Sequence, residues 1–516
     1  MVLFLSILLI LTVAVLLTRI ASALSVPYPA FLALGGALIA VLPGTPSINL
    51  DPSLALAIFV APVLADAAYV TSLRDLRDYR LSIILLVVMA VSVTTAAAAI
   101  VFHTLVPGVP WAAAVALGAI VAPPDATAAA TVLREIKMQS RVRAILEGES
   151  LFNDASALLI FAVALRVAQD GHATLTSLIP SYMLSVIGSI ALGLLLTRVV
   201  PFALRLAKDA PTSIILQFCS IFGIWVLAEA LRLSAILTVV TYGIALAQLL
   251  PRRHAPLLRM KSFAVWETAV FLANVLAFTL IGMQLAPLMA ALNPDERVSY
   301  FVIGSAILVT VIIVRILWVM SYNWALRLRK SDPNLPERVL PPTVKGGLVI
   351  SWSGMRGIVS LAAALALPVG FPERDLIQFV AFVVVLGTLV LQGFTLGPLV
   401  RWLQLPDDRR LDREIALARR RGLEAALCSL DGNTSEYADA LRLEYQAVLN
   451  LGKLDDLGKL AELSDFESLR LEALRAAREA VQKLRAEGEI GEIAYQAILS
   501  ANDRAYLYAT RYQAAE

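Results

Sequence analysis

Polar residues along this chain are sparse and bunched, and between the bunches run long apolar stretches. A window of ~19 residues, the length that spans a bilayer, picks out stretches near 2–18, 28–43, 53–72, 81–104, 110–133, 145–165, 180–204, 212–231, 233–250, 265–291, 299–323, 345–369 and 376–400. A helix needs about 20 apolar residues to cross a hydrocarbon core of ~30 Å. The pattern therefore predicts an all-α polytopic membrane protein with thirteen transmembrane helices. The first stretch has no positive side chain before it and its first arginine, Arg19, after it. It is expected to be a retained helix rather than a removed signal.

Basic residues alternate between the connections. Arg74/Arg77/Arg80, Arg134/Lys137/Arg141/Arg143, Arg205/Lys208, Arg252/Arg253/Arg259/Lys261 and Arg327/Arg329/Lys330/Arg338 fall in odd-numbered loops, while even-numbered loops hold single arginines such as Arg232, Arg297 and Arg374. The positive-inside rule then puts the C-terminus in the cytoplasm and the N-terminus outside. The composition changes after Arg401, giving two expected domains: a membrane domain over 1–403 and a soluble helical cytoplasmic tail over 404–516.

Composition narrows the function. Only 16% of the residues are charged and the mean hydropathy is +0.77, against roughly 25% charged in soluble domains. A net charge of +3 without a basic stripe argues against a nucleic-acid partner. Two cysteines and three scattered histidines give no disulfide framework and no transition-metal cluster. An enzyme would need a nucleophile with a base or a metal site, and a channel would need a filter-like segment. Neither pattern is present, so no enzyme activity and no cofactor are expected, and membrane lipids are the surrounding partners.

Charges inside apolar runs mark ion pathways. The densest group is Glu147-Gly148-Glu149-Ser150-Leu151-Phe152-Asn153-Asp154, at the start of the sixth stretch. On a helix Ser150 and Asp154 share one face, and Glu149 and Asn153 share a face about 100° away. One face can bind an ion while the other ties the helix down. Asp154 is expected ~13 Å from the cytoplasmic end, near the midplane. In the fifth stretch Pro123-Pro124 should break the helix, with Asp125 compensating the half-helix that follows or joining the ion and proton site as a direct ligand. In the twelfth, Gly354-Met355-Arg356-Gly357 puts an arginine at depth. Arg356 needs an acid, and Glu149 is the best available partner. Arg315, in the eleventh stretch, is expected to snorkel or to cap carbonyls.

Treating stretches 1 to 6 and 8 to 13 as repeats makes the two interrupted helices correspond. By the orientation above they run in opposite directions, so the repeats are inverted and the two broken helices cross at a midplane ion site. Carboxylate, hydroxyl and carbonyl oxygens suit hard cations. A single carboxylate, Asp154, that takes either a proton or a cation produces exchange by competition. If Glu149 stays paired with Arg356, one charge moves each way and the exchange is electroneutral.

At these residues the sequence closely resembles the monovalent cation:proton antiporters, the bacterial NhaP-type proteins and the animal sodium/hydrogen exchangers. The stretch Gly148 to Ala155 is similar to that family's signature, and its Asn-Asp pair marks the electroneutral branch. The resemblance covers about 1–403 and implies Na+ (or Li+)/H+ exchange, with K+/H+ exchange as the close alternative; a cation channel is a competing reading of a different class. It implies that Asp154 is the ion and proton carrier, with Ser150 a hydroxyl ligand of Na+, Asn153 a structural partner, and Glu149 with Arg356 the buried ion pair. It also implies a homodimer in the cell membrane, with a mobile core of stretches 4 to 6 and 11 to 13. One departure stands out. Where the family reads Thr-Asp-Pro, this chain reads Pro124-Asp125-Ala126. The backbone carbonyl of Pro124 is then the expected ligand at that crossing.

Overall fold

A backbone in lipid must satisfy its own N–H and C=O groups, which leaves the helix as the stable form for runs of this composition. The computed structural model describes residues 2–23, 26–41, 51–125, 139–170, 175–204, 209–249, 256–292, 295–328, 343–405, 410–432 and 434–451, and scattered positions between 472 and 498. Every regular element among them is a helix. In chain order, leaving out the short helices Leu73–Asp78 and Leu285–Ala291, those of the first 408 residues are α1 (Val2–Ala23), α2 (Tyr28–Val41), α3 (Pro52–Val70), α4 (Arg80–Leu105), α5 (Trp111–Val121), α6 (Ser140–Asp170), α7 (Leu175–Leu204), α8 (Ala210–Ala230), α9 (Ala235–Leu249), α10 (Pro256–Met283), α11 (Arg297–Leu328), α12 (Val344–Trp352), α13 (Ile358–Leu365) and α14 (Arg374–Leu403). Among the described residues eight helices are long and apolar enough to cross a membrane, and α2, α5 and α9 are shorter apolar helices. The last third of the fifth expected stretch, 126–133, and most of the tail beyond 451 lie outside the described residues.

Residues 1–408 and 409–516 form two compact units. In the second, α15 (Arg410–Ser429) and α16 (Glu436–Leu451) pack on one another.

Small residues let helices of the first unit approach closely, as membrane packing requires. A Cβ on Gly36 of α2 would run into Thr279 O of α10, and one on Gly282 of α10 would run into Ala33 O of α2. Gly118 of α5 meets Thr95 O of α4 in the same way. α3 is also locally widened, with π-helical geometry over Leu56–Val60. Pro62 supplies no N–H to the ladder there and its ring crowds the carbonyl of Ile58. Such bulges re-aim side chains and gather at functional sites, and this one turns Phe59 and Val60 toward the cavity described next.

Candidate ion site at two broken helices

α5 ends at Val121, and residues 122–125 leave the helical path through Pro123 and Pro124. α12 ends at Trp352, residues 353–357 are not helical, and α13 starts at Ile358. The interruption expected in the twelfth stretch is therefore present, α5 stops where the break in the fifth is expected, and the two non-helical segments touch. Asp125 N–H donates to Met355 O at 2.5 Å. A Cβ on Gly357 would overlap the Asp125 carboxylate, so only glycine lets the two segments come this close.

Helix ends leave carbonyls without intrahelical partners, and two buried arginines take these up. Arg356 is fully buried. Its guanidinium donates to Val121 O at 2.9 Å, to Ala122 O at 3.1 Å, and to Gly354 O, while its main-chain N–H donates to Thr388 Oγ1 at 3.0 Å. Arg315 donates to Ser351 O at 3.2 Å and Ile350 O at 3.0 Å, at the end of α12. Its two terminal nitrogens also grip Glu149 in a bidentate pair at 2.6 and 2.9 Å.

The expected Glu149–Arg356 pair is therefore corrected: Glu149 pairs with Arg315. The negative ends of two half-helices supply Arg356 with enough carbonyl oxygen that it needs no carboxylate. The same geometry removes snorkelling for Arg315. It stands 13 residues, ~20 Å, from the end of α11, beyond the reach of its side chain to the surface. An arginine that deep must find its partners inside, and that depth was the signal in the sequence.

α6 displays its two faces as the helical spacing requires. Glu149 and Asn153 are buried at 2% and 0% exposure. Asn153 Nδ2 donates to Pro124 O at 2.6 Å, which clamps α6 to the broken segment and engages the carbonyl expected to face an ion. The adjoining face lines a cavity of about 40 Å³, shared by Ser150, Asp154, Pro124, Asp125, Asn274 and Ser360. Since 10–15 Å³ admits one water, it has room for a small ion with a few waters. Phe59, Val60, Val63 and Phe278 form its apolar wall. That wall was not singled out from the sequence. α6 begins at Ser140, five residues before the expected start, so Asp154 lies ~21 Å along a 31-residue helix, at its centre.

The chain as a whole has counterparts elsewhere. The profile of the transmembrane sodium/hydrogen exchangers matches residues 7–402. The chain belongs to the sodium/hydrogen exchanger family. It is thus a multi-pass membrane antiporter of a transporter family, serving ion transport. It is 32% identical over 504 residues to an uncharacterised Na+/H+ exchanger of Mycobacterium tuberculosis (strain ATCC 25618 / H37Rv), covering 92% of this chain and 90% of that one. The sodium, potassium, lithium and rubidium/H+ antiporter of Bacillus pumilus is 32% identical over 78% of this chain and 62% of its own. The Na+/H+ antiporter NhaP of Pseudomonas aeruginosa is 30% identical over 66% of this chain and 79% of its own. Among solved structures, the sodium proton antiporter MjNhaP1 from Methanocaldococcus jannaschii superposes with a TM-score of 0.59 at 20% identity, over 78% of this chain and 99% of that one, a likeness of fold.

Proposed function

We propose that this exchanger moves one Na+ or Li+ against one H+, electroneutrally, by competition for Asp154. The observation that supports it is the division of charge at the crossing. Asp154 and Asp125 face the cavity with Ser150, and both buried arginines are committed elsewhere, Arg315 to Glu149 and Arg356 to helix-end carbonyls.

Among the described residues neither guanidinium is committed to Asp154. One proton or one monovalent cation neutralises it. Two ionised carboxylates on one small cavity repel each other, and a cation between them relieves that repulsion. Only the neutralised centre crosses the low-dielectric barrier cheaply. Occupancy by one ion therefore excludes the other, and an empty site does not move.

In this reading Asp154 is the carrier, Ser150 Oγ and Asp125 add oxygens to Na+, and the Pro124 carbonyl does so through its second lone pair. Asn153, Glu149, Arg315 and Arg356 hold the frame. Thirteen crossings, inverted repeats, a cytoplasmic C-terminus and a homodimer belong to the same reading, supported by the alternating basic loops and the paired helix breaks. K+ is the second substrate to test, because the Bacillus pumilus relative is named for four alkali cations and Pro124 stands where a threonine is usual.

Acid-loaded proteoliposomes provide the test. Addition of Na+ or Li+ is expected to collapse the pH gradient, with no change when valinomycin and K+ clamp the potential, and Asp154→Asn is expected to be inactive. Collapse by K+ alone changes the substrate. Full activity of Asp154→Asn removes the carrier.

A further inference from the structure

Gln392, on α14, is fully buried, and neither end of its side-chain amide has a hydrogen-bond partner among the described residues. Buried amides are almost always paired, because an unpaired end forfeits the bond that water would supply. An exception in so enclosed a place calls for a reason.

The register of α14 shows what the amide stands beside. Thr388, Gln392 and Thr395 are four and three residues apart and share one stripe of the helix. Thr388 Oγ1 accepts from Arg356 N–H at 3.0 Å, and Thr395 Oγ1 accepts from Trp352 Nε1–H at 2.8 Å. The stripe thus holds the break between α12 and α13 near both of its ends, and Gln392 lies between the two holds. A Cβ on the neighbouring Gly393 would lie 3.4 Å from the Met355 sulfur, so α14 also runs close to the middle of the break. The carbonyls there are engaged: Gly354 O accepts from the Arg356 guanidinium, and Met355 O accepts from Asp125 N–H.

An antiporter alternates between arrangements, and a group biases them only if its interactions differ between them. An amide unpaired in this arrangement and paired in another disfavours the first and favours the second. We propose that Gln392 is a positioning residue of the exchange cycle. When the contact between the two broken segments opens, its NH2 group takes over the Met355 carbonyl that Asp125 N–H releases, and its oxygen accepts a main-chain N–H of the same segment. It acts on the ion site through Met355 and Asp125. The inference rests on antiport by this family and not on Asp154 as the carrier.

Gln392→Met keeps the length of the side chain and removes both polar ends. The purified full chain carrying it is expected to melt at the wild-type temperature or above, since an unpaired amide is lost. In proteoliposomes driven in turn by Na+, Li+ and K+, its kcat should fall about fivefold or more while KM stays within about twofold of wild type. Gln392→Asn, which keeps the amide, should recover part of that loss. Hydrogen–deuterium exchange over 353–357 separates this role from packing: a packing defect speeds exchange there, whereas loss of the second arrangement should slow it about threefold. That readout needs no transported cation, so it decides even if the cation or the carrier is misassigned. A lower melting temperature in Gln392→Met, turnover equal to wild type, or exchange over 353–357 that is unchanged or faster overturns the proposal.

Discussion

Two faces of α6 begin one residue apart and have opposite fates. Along one, Glu149 is gripped at both oxygens by Arg315 and Asn153 is tied to Pro124 O. Along the other, Ser150 and Asp154 look into a cavity with Asp125. Burial is deep on the first face, where every lone pair committed to a partner lowers the penalty of keeping a charge from water. The second face keeps an acid, Asp154, with no hydrogen-bond partner among the described residues, and in the proposed reading its partner is the transported ion. A group that is permanently paired supports the structure, whereas a group that can exchange partners can carry an ion.

The largest expected difference between the faces is in stability. Removing Arg315 as Arg315→Met strands a buried carboxylate and should cost about 3–5 kcal/mol, read as a large drop in the melting temperature of the purified protein. Asp154→Asn should keep or raise that temperature while abolishing exchange. If both variants melt alike, the faces are not different in kind.

Next in size is the contact of the two broken segments. Gly357→Ala puts a methyl group against the Asp125 carboxylate, an overpacking worth about 1–3 kcal/mol. Cation-driven proton flux should fall far more than the yield of folded protein does. A fully active Gly357→Ala would show that Asp125 need not stay where it is.

On the cavity face, Ser150→Ala removes one candidate oxygen ligand. A loss of about 1 kcal/mol should appear as a roughly fivefold rise in the KM for Na+ with kcat little changed. The smallest effect belongs to the frame. Thr343 caps α12 by accepting from Gly346 N–H, and Thr343→Ala should cost about 1 kcal/mol of stability and leave the KM for Na+ alone.

Much of this contrast was legible in the sequence because a helix turns through a fixed angle per residue. The spacing of Glu149, Ser150, Asn153 and Asp154 assigned the faces before any contact was known, and Pro123-Pro124 marked a break that no helix could avoid. The partner of Glu149 was not legible. Sequence exposes charges but hides the orphan carbonyls at helix ends, and those carbonyls satisfy Arg356 and free Glu149 for Arg315. The apolar wall of Phe59 and Val60 was hidden for a related reason, because it depends on a local widening of α3 that apolar periodicity does not report.

Competition at Asp154 is tested most directly by counting protons released as Na+ binds to the purified protein. Calorimetric titrations in buffers of different ionisation heat give that number, and binding to a site that must first lose its proton releases it. At a pH where the empty site is protonated, on the order of one proton per Na+ is expected, with neither binding nor release in Asp154→Asn. Saturable Na+ binding with no proton release at any pH, or release that persists in Asp154→Asn, would contradict the account.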